Sequence, residues 1–465
     1  MGPANSSTKI KHLYSRAGFG ISYPDLQEQN GRSIRQAVDS LFVASEAYND
    51  LEIPGNTLSG KAAKPFSQLS EDEKKLQLRK ARQAVRSLNV AWLERMSSSP
   101  AQLREKLTLF WHGHFACRST NATFLQQLNN IHRKHASGNF KTLLLEVCRS
   151  PAMLAFLNNQ QNRKGKPNEN FARELMELFT LGRGHYTEQD VKEAARAFTG
   201  WAYNQGGEFQ FRPAVHDTGI KTFFGRSGNF NGEDIIDRIL EKPEAARFIA
   251  RKLYVFLVSD SVDESRVNKL GDVFYKSGYS ISALVREILT ADWFYEPRVI
   301  GAKIKSPIEL IAGLNRQFKV QYENPEILLK FQSALGQTLF YPPNVAGWPG
   351  GKSWIDSSSL MIRLKMPSTI LNGGIIEFDE RADIEDEALI ALATVRRQAV
   401  ERQIRSAPDW DDFLSGLPAK MPQKDLASHL LQPALSASVL KNLASGQNIK
   451  NLVIELLSLP EYQMT

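Results

Sequence analysis

The chain has 465 residues, 42% hydrophobic and 23% charged, the balance of a globular protein with one large domain or two to three smaller ones. Its 58 Lys and Arg against 50 Asp and Glu give a net charge of +8, a mild excess that allows attraction to acidic polymers. Dense basic patches with interleaved aromatics are absent, so no nucleic-acid partner is expected; no apolar run reaches the ~18 residues of a membrane span, and two cysteines, Cys117 and Cys148, make neither a disulfide scaffold nor a zinc motif.

Residues 1–10, MGPANSSTKI, read as a flexible leader without the basic segment and apolar core of an export signal. Tyr23-Pro24-Asp25 opens a short helix, and Ser33 caps a helix over Ile34–Phe42. Residues 49–68, with Pro54, Gly55, Gly60 and Pro65, read as a loop; this loop and the leader lack apolar anchors and are expected to be mobile. Ser70 begins an S-x-x-E capping box, and its helix should run to about Ser97, packing through Val85, Leu88, Trp92 and Leu93. After Pro100, Leu103, Leu107, Phe110 and His114 recur at helical spacing. On a continuous helix His112 and His114 diverge by about 200° and cannot share a metal; a helix ending at Gly113 would let them converge. The other reading of His114 is a hydrogen-bonded core residue.

Helical patterns follow over Ala122–His135, Phe140–Arg149 and Pro151–Asn158, then a polar, basic loop, Asn158–Asn170, that is either a lid or a solvated turn. The stretch from Asn168 to Gly200 is the centre of the chain. On a helix over Phe171–Leu181, Phe171, Leu175, Leu178 and Phe179 share an apolar face, with Asn170, Glu174 and Glu177 on the flank beside it. Two carboxylates one turn apart there are either an exposed flank paired with Arg173 or Arg196, or groups aimed into a cleft to bind a metal, a cation or a substrate hydroxyl. Thr187 caps the next helix with the box TEQD.

Two alternating runs around Gly206-Gly207 then predict a hairpin over 201–213, the one sheet expected. His216, Asp217 and Lys221 follow in a glycine-containing loop, which is either functional or braced by its own Asp–Lys pair. Helices resume over Gly232–Leu240, Pro243–Ser259, Asp263–Ser277, Ile281–Thr290, Pro307–Val320 and Pro325–Leu335. Tyr341–Asp356 is an ordered loop whose Trp348 and Trp354 either plug helix ends or form a groove wall that stacks on a ligand. Tail helices are expected over Glu385–Arg405, Trp410–Leu417, Pro422–Leu431 and Ile449–Leu457. The expected fold is mainly α: a large multi-helix domain over 11–366 carrying the site, with one small β-hairpin and ordered Pro/Gly/Trp loops, and a C-terminal helical segment, 367–465, packed on it.

Five blocks together resemble the bacterial domain-of-unknown-function family numbered 1800: SRAGFG (Ser15–Gly20), FWHGHFA (Phe110–Ala116), the run from Asn168 to Trp201, HDTGIKTFFG (His216–Gly225) and PPNVAGWPGGKSWI (Pro342–Ile355). The resemblance brings no established activity. It implies a periplasmic or extracellular setting and a sulfatase-like product of a neighbouring gene as partner.

Three functions are expected to compete. The first is a hydrolase-like enzyme acting on an extracytoplasmic polymer, most readily a glycan, including an acidic one. Glu174, Glu177, His114, His216 and Asp217 would do acid–base work; His112, Asn170, Arg173, Lys221, Trp348 and Trp354 would hold substrate. Paired carboxylates serve glycoside cleavage at separations of roughly 5–9.5 Å. A nucleophile elbow, a Walker loop, a Rossmann fingerprint and an HExxH motif are all missing. The second is a protein that binds a divalent metal, zinc, iron or manganese, through His and Glu, with Glu174 and Glu177 as two ligands from one helix. The third is a non-enzymatic polymer-binding or assembly protein. The site expected for the first has Glu174 and Glu177 facing one cleft, with His112 or His114 on one side, the His216–Lys221 loop on the other, and Lys221 as counter-charge.

Overall fold

The computed structural model describes residues 6–54, 69–204, 206–372, 405–443 and 448–465. The fold is mainly α. The chain opens with α1 (Ser6–Ala17), α2 (Tyr23–Glu28), α3 (Ile34–Ala44), α4 (Glu71–Ser98), α5 (Gln102–His114), α6 (Ala122–Lys134), α7 (Phe140–Arg149) and α8 (Pro151–Phe156). Next come α9 (Asn170–Glu174), a π-helical turn over Leu175–Thr180, and α10 (Glu188–Ala197). Then follow α11 (Gly232–Leu240), α12 (Pro243–Leu257), α13 (Glu264–Lys276), α14 (Ile281–Thr290), α15 (Pro307–Phe318), α16 (Ile327–Ala334) and α17 (Ser357–Asn372). Short helices over Trp410–Ser415, Gln423–Leu430, Ala437–Asn442 and Ile449–Leu457 close the chain.

Local chemistry sets most of these boundaries. Ser33, Ser70 and Thr187 each accept from the third residue of their helix, while Gln36, Glu73 and Asp190 return a bond to the cap's own N–H. That reciprocal bonding satisfies two of the amides a helix start leaves unpaired.

Two expectations are corrected, and others fall outside the described residues. Residues 6–10 belong to α1, and Ile10 is buried, so the leader is anchored from Ser6. Residues 1–5 and 55–68, and the helix expected over 385–405 except Arg405, lie outside the described residues. The expected hairpin forms from β1 (Trp201–Tyr203) and β2 (Phe209–Phe211), with Trp201 opposite Phe211, but it is not the one sheet. β3 (Lys221–Phe223) pairs with β4 (Arg226–Gly228), and β5 (Gln321–Tyr322) with β6 (Ser406–Ala407). β5 and β6, of two residues each, are too short to show an alternating pattern, and β3 begins within the segment read as a loop.

The boundary drawn at 366/367 falls inside α17, which carries Pro367 in its interior. A proline there leaves the carbonyl four residues back, that of Arg363, without its helical donor. Gln463 Nε2 lies 3.5 Å from that carbonyl and takes the donor's place.

Two hydrophobic cores flank α5. One gathers α1, α3, α7–α14 and the π turn; the other gathers α4, α15–α17 and the C-terminal helices. α5 serves both: Leu103, Leu107, Phe110 and Trp111 enter the first and Leu109 the second. Its polar residues are therefore buried as well, Glu105, Lys106, His112 and His114 among them. The loop after α16 lies on the end of this helix. Gly347 has φ +82°, and a Cβ on it would stand 2.4 Å from the Gly113 carbonyl oxygen. Gly347→Ala combines a left-handed backbone with a clash against main chain that cannot swing away, and should cost at least ~2 kcal/mol. An unchanged urea midpoint would mean the loop does not rest on α5.

Candidate functional site

The run from Asn170 to Gly182 is not one α-helix. After Glu174 the backbone bonds step to i→i−5, with the Leu181 N–H donating to the Met176 carbonyl at 2.9 Å; the Thr180 side-chain hydroxyl adds a bond to the Leu175 carbonyl at 2.6 Å. The slower advance around the axis buries Met176 and leaves Leu178 half-exposed, against the straight-helix expectation. Gly182, at φ +78°, ends the turn. Single π turns inside helices are concentrated at functional sites.

Glu174 and Glu177 stand at the two sides of this switch, both half-buried at its outer flank. Glu177 accepts from Arg183 Nε at 2.6 Å and from the Tyr186 hydroxyl at 3.0 Å. These bonds, the Arg183 one foremost, hold its carboxyl below the usual range. Glu174 has no such partner; partial burial first, and the Glu177 charge second, push its carboxyl up. Arg173 is engaged elsewhere, bidentate on Glu188 at 2.7 and 2.8 Å and on Glu169 at 3.1 Å. Glu169 also lines a polar cleft of about 430 Å³ with Gln161, Arg163, Lys166, Pro167 and Asn168; Glu174 and Glu177 are not among its lining residues. Two neighbouring carboxyls driven in opposite directions are the arrangement by which one site holds an acid and a base at the same pH.

The other expected site residues are not gathered here. α5 runs unbroken through His114, so the two histidines diverge. His112 Nε2 accepts from the Phe340 N–H at 3.1 Å, between Trp92 and Trp348. His114 Nε2–H donates to the Phe179 carbonyl at 3.1 Å, bracing the π turn from its buried side. Burial drives both imidazoles down to about 3. Buried and hydrogen-bonded within the core, both rings match the alternative reading of a satisfied core histidine.

The His216–Lys221 loop is locked to α10. Asp217 receives Arg196 Nε at 2.8 Å and Nη2 at 3.2 Å, which hold its carboxyl down at about 2. His216 Nδ1–H donates to the Thr199 carbonyl at 2.8 Å. Lys221 is fully buried and donates to the carbonyls of Asp217, at 2.6 Å, and Gly219, at 3.1 Å. It is thus no counter-charge for Glu174 and Glu177, and the brace is Asp217–Arg196 rather than Asp217–Lys221. Trp354 is 8% exposed, and Trp348, half-buried, packs one face on His112 near the end of α5. Asn170 begins α9, with Nδ2 3.3 Å from the Leu157 carbonyl.

Among the described residues no three His, Cys, Asp or Glu side chains gather to hold a metal ion, so the expected His/Glu ligand set does not form. Arg183 and Tyr186, which set the charge of Glu177, were missed by sequence reasoning. The signal available was the short turn GRGHY, which folds back on the helix it follows.

Among the described residues no helix is long and apolar enough to cross a membrane. The family described as protein of unknown function (DUF1800) matches residues 12–464. No curated protein and no solved structure matches the chain.

Proposed function

The chain belongs to the DUF1800 family of proteins of unknown function, and from that premise we propose that it is a hydrolase of an extracytoplasmic polymer, a glycan in the first instance, using Glu174 as proton donor and Glu177 as its ionised partner. The observation that supports this reading is the opposite displacement of the two carboxyls on the two sides of the switch from α9 to the π turn. Glu174 keeps its proton to higher pH and would deliver it to the leaving oxygen. Glu177, fixed by Arg183 and Tyr186, would take a proton from water or steady positive charge at the reacting carbon. A solvent-reachable flank suits a chain-like substrate. Arg163 and Lys166, lining the polar cleft, suit an acidic one, the class on which a sulfatase-like neighbour would also act.

The activity of such a pair is bell-shaped in pH. It falls as pH drops through the lowered Glu177 value and as pH rises through the raised Glu174 value. Glu174→Gln should abolish release of reducing ends from acidic polysaccharides, since removing a general acid costs about 10²–10⁴ in rate. It should leave the melting temperature within a few degrees, because no hydrogen bond is broken. Full activity in Glu174→Gln would sink the assignment, and tight polysaccharide binding without any cleavage would make the chain a polymer-binding protein instead.

A further inference from the structure

A second polar centre lies between the two cores, apart from the carboxylate pair. The cations Arg16, Lys106, Lys303, Lys305 and Arg363 meet there, and the carboxylates among them are Glu309 and Asp260. Arg16 is 1% exposed and spends Nη1 and Nη2 on the carbonyls of Leu257, Val258 and Val299, leaving Nε without a partner. Lys106 pairs with Glu309 and donates to the Gly18 carbonyl at 3.0 Å. The other Glu309 oxygen receives the Ser306 N–H at 2.7 Å, so that carboxylate is fully used. Lys303 takes Asp260 at 3.0 Å, beneath the Gly351 turn of the Pro/Gly/Trp loop.

Arg363 and Lys305 are then left over. Arg363 is fully buried; Nη1 reaches the Lys305 carbonyl at 3.1 Å and Gln463 Oε1 at 3.4 Å, while Nε and Nη2 have no acceptor. Nε and Nη2 form the edge of the guanidinium that accepts an oxyanion by two parallel bonds. The Lys305 ammonium rests over the Tyr462 ring, 3.7 Å from its centre, with no carboxylate of its own. Lys305 as a residue is half-buried, while burial acts most strongly on its ammonium end. Burying an excess of cations and an unpaired guanidinium edge is costly unless an anion completes them.

We infer that Arg363 and Lys305, with the Lys106 charge close by, form a binding site for a small tetrahedral oxyanion of the phosphate or sulfate kind. Burial pushes the Lys305 ammonium down to about 7, which a bound dianion would reverse. The site is independent of the Glu174–Glu177 pair.

The test is calorimetric titration of the intact chain with inorganic phosphate, beside thermal melts at fixed ionic strength. Saturable binding is expected, with a rise in melting temperature absent in chloride. Lys305→Gln should weaken binding about tenfold or more, as loss of a charged hydrogen bond does. Arg363→Gln should abolish it; if that variant does not fold, Lys305→Gln alone decides. No saturable heat, or the same melting rise in wild type and Lys305→Gln, overturns the site, the latter being the general salting effect of phosphate. Phenyl phosphate should fail to compete, because the guanidinium edge is enclosed; equal competition would overturn the free-ion assignment in favour of the end group of a larger ligand.

Discussion

Glu105→Ala should destabilise the protein by about 3–5 kcal/mol, a large share of the ~5–15 kcal/mol that holds a typical domain. Glu105 lies in the first turn of α5 and is 2% exposed. Arg133 of α6 reaches it through Nε at 2.8 Å and Nη2 at 3.1 Å, and Trp92 of α4 donates Nε1–H at 2.9 Å. Alanine strands a guanidinium that is 1% exposed, together with an indole N–H. The cost is the desolvation of that charge rather than the lost attraction. The Arg173–Glu188 pair is the control: its side chains are 33% and 69% exposed, and Glu188→Ala should cost no more than ~1 kcal/mol. Replacing Glu105 and Arg133 together by apolar residues of similar volume should recover much of the loss. Urea unfolding measures all three. A loss below ~1 kcal/mol in Glu105→Ala would mean that Asn130 Oδ1, already 2.8 Å from Arg133 Nη1, suffices as acceptor.

The second large effect is acid lability set by α5 histidines. Burial depresses His112 and His114 to about 3 and His429 to about 4. His12 and His132 are driven well down by the same cause. The unfolded chain protonates these rings near 6.5 and the folded chain does not. Below that value the unfolded state binds more protons, so stability falls as pH falls. Between roughly pH 6 and pH 3, His112 and His114 together contribute a slope of about 2.7 kcal/mol per pH unit. Asp217 and Glu309, both held near 2, add in the same direction once pH passes below the ordinary carboxylate range. Glu174, whose carboxyl is raised, opposes them, gaining stability as pH falls through its own range. His112→Gln keeps an acceptor for the Phe340 N–H and removes one titrating ring, so its stability should decline less steeply with acid. A urea midpoint that stays level from about pH 7 to pH 4.5 would contradict burial of neutral rings.

Sequence by itself determined where most helices begin and how the chain is punctuated. Ser33, Ser70, Thr187 and the prolines opening α8, α12 and α15 act on backbone groups within one turn, so neighbours in sequence suffice to read them. It also singled out Glu174 and Glu177, because two carboxylates beside an apolar stripe break the usual pattern.

Tertiary structure decided what those residues meet. The π turn depends on what packs against it, including His114 from α5, and straight-helix arithmetic cannot anticipate it. The rule that polar residues mark an exposed face fails for α5, whose ionisable side chains are each satisfied by another element. Glu105 finds Arg133 28 residues away, and Lys106 finds Glu309 203 residues away. Asp217 likewise turned to Arg196 instead of its neighbour Lys221, since a guanidinium offers a bidentate fit and Lys221 could be satisfied by loop carbonyls. A cap is a contract between neighbours and is legible in sequence; the partner of a buried charge is chosen among distant segments by the cost of leaving it unpaired, and only the folded chain records that choice.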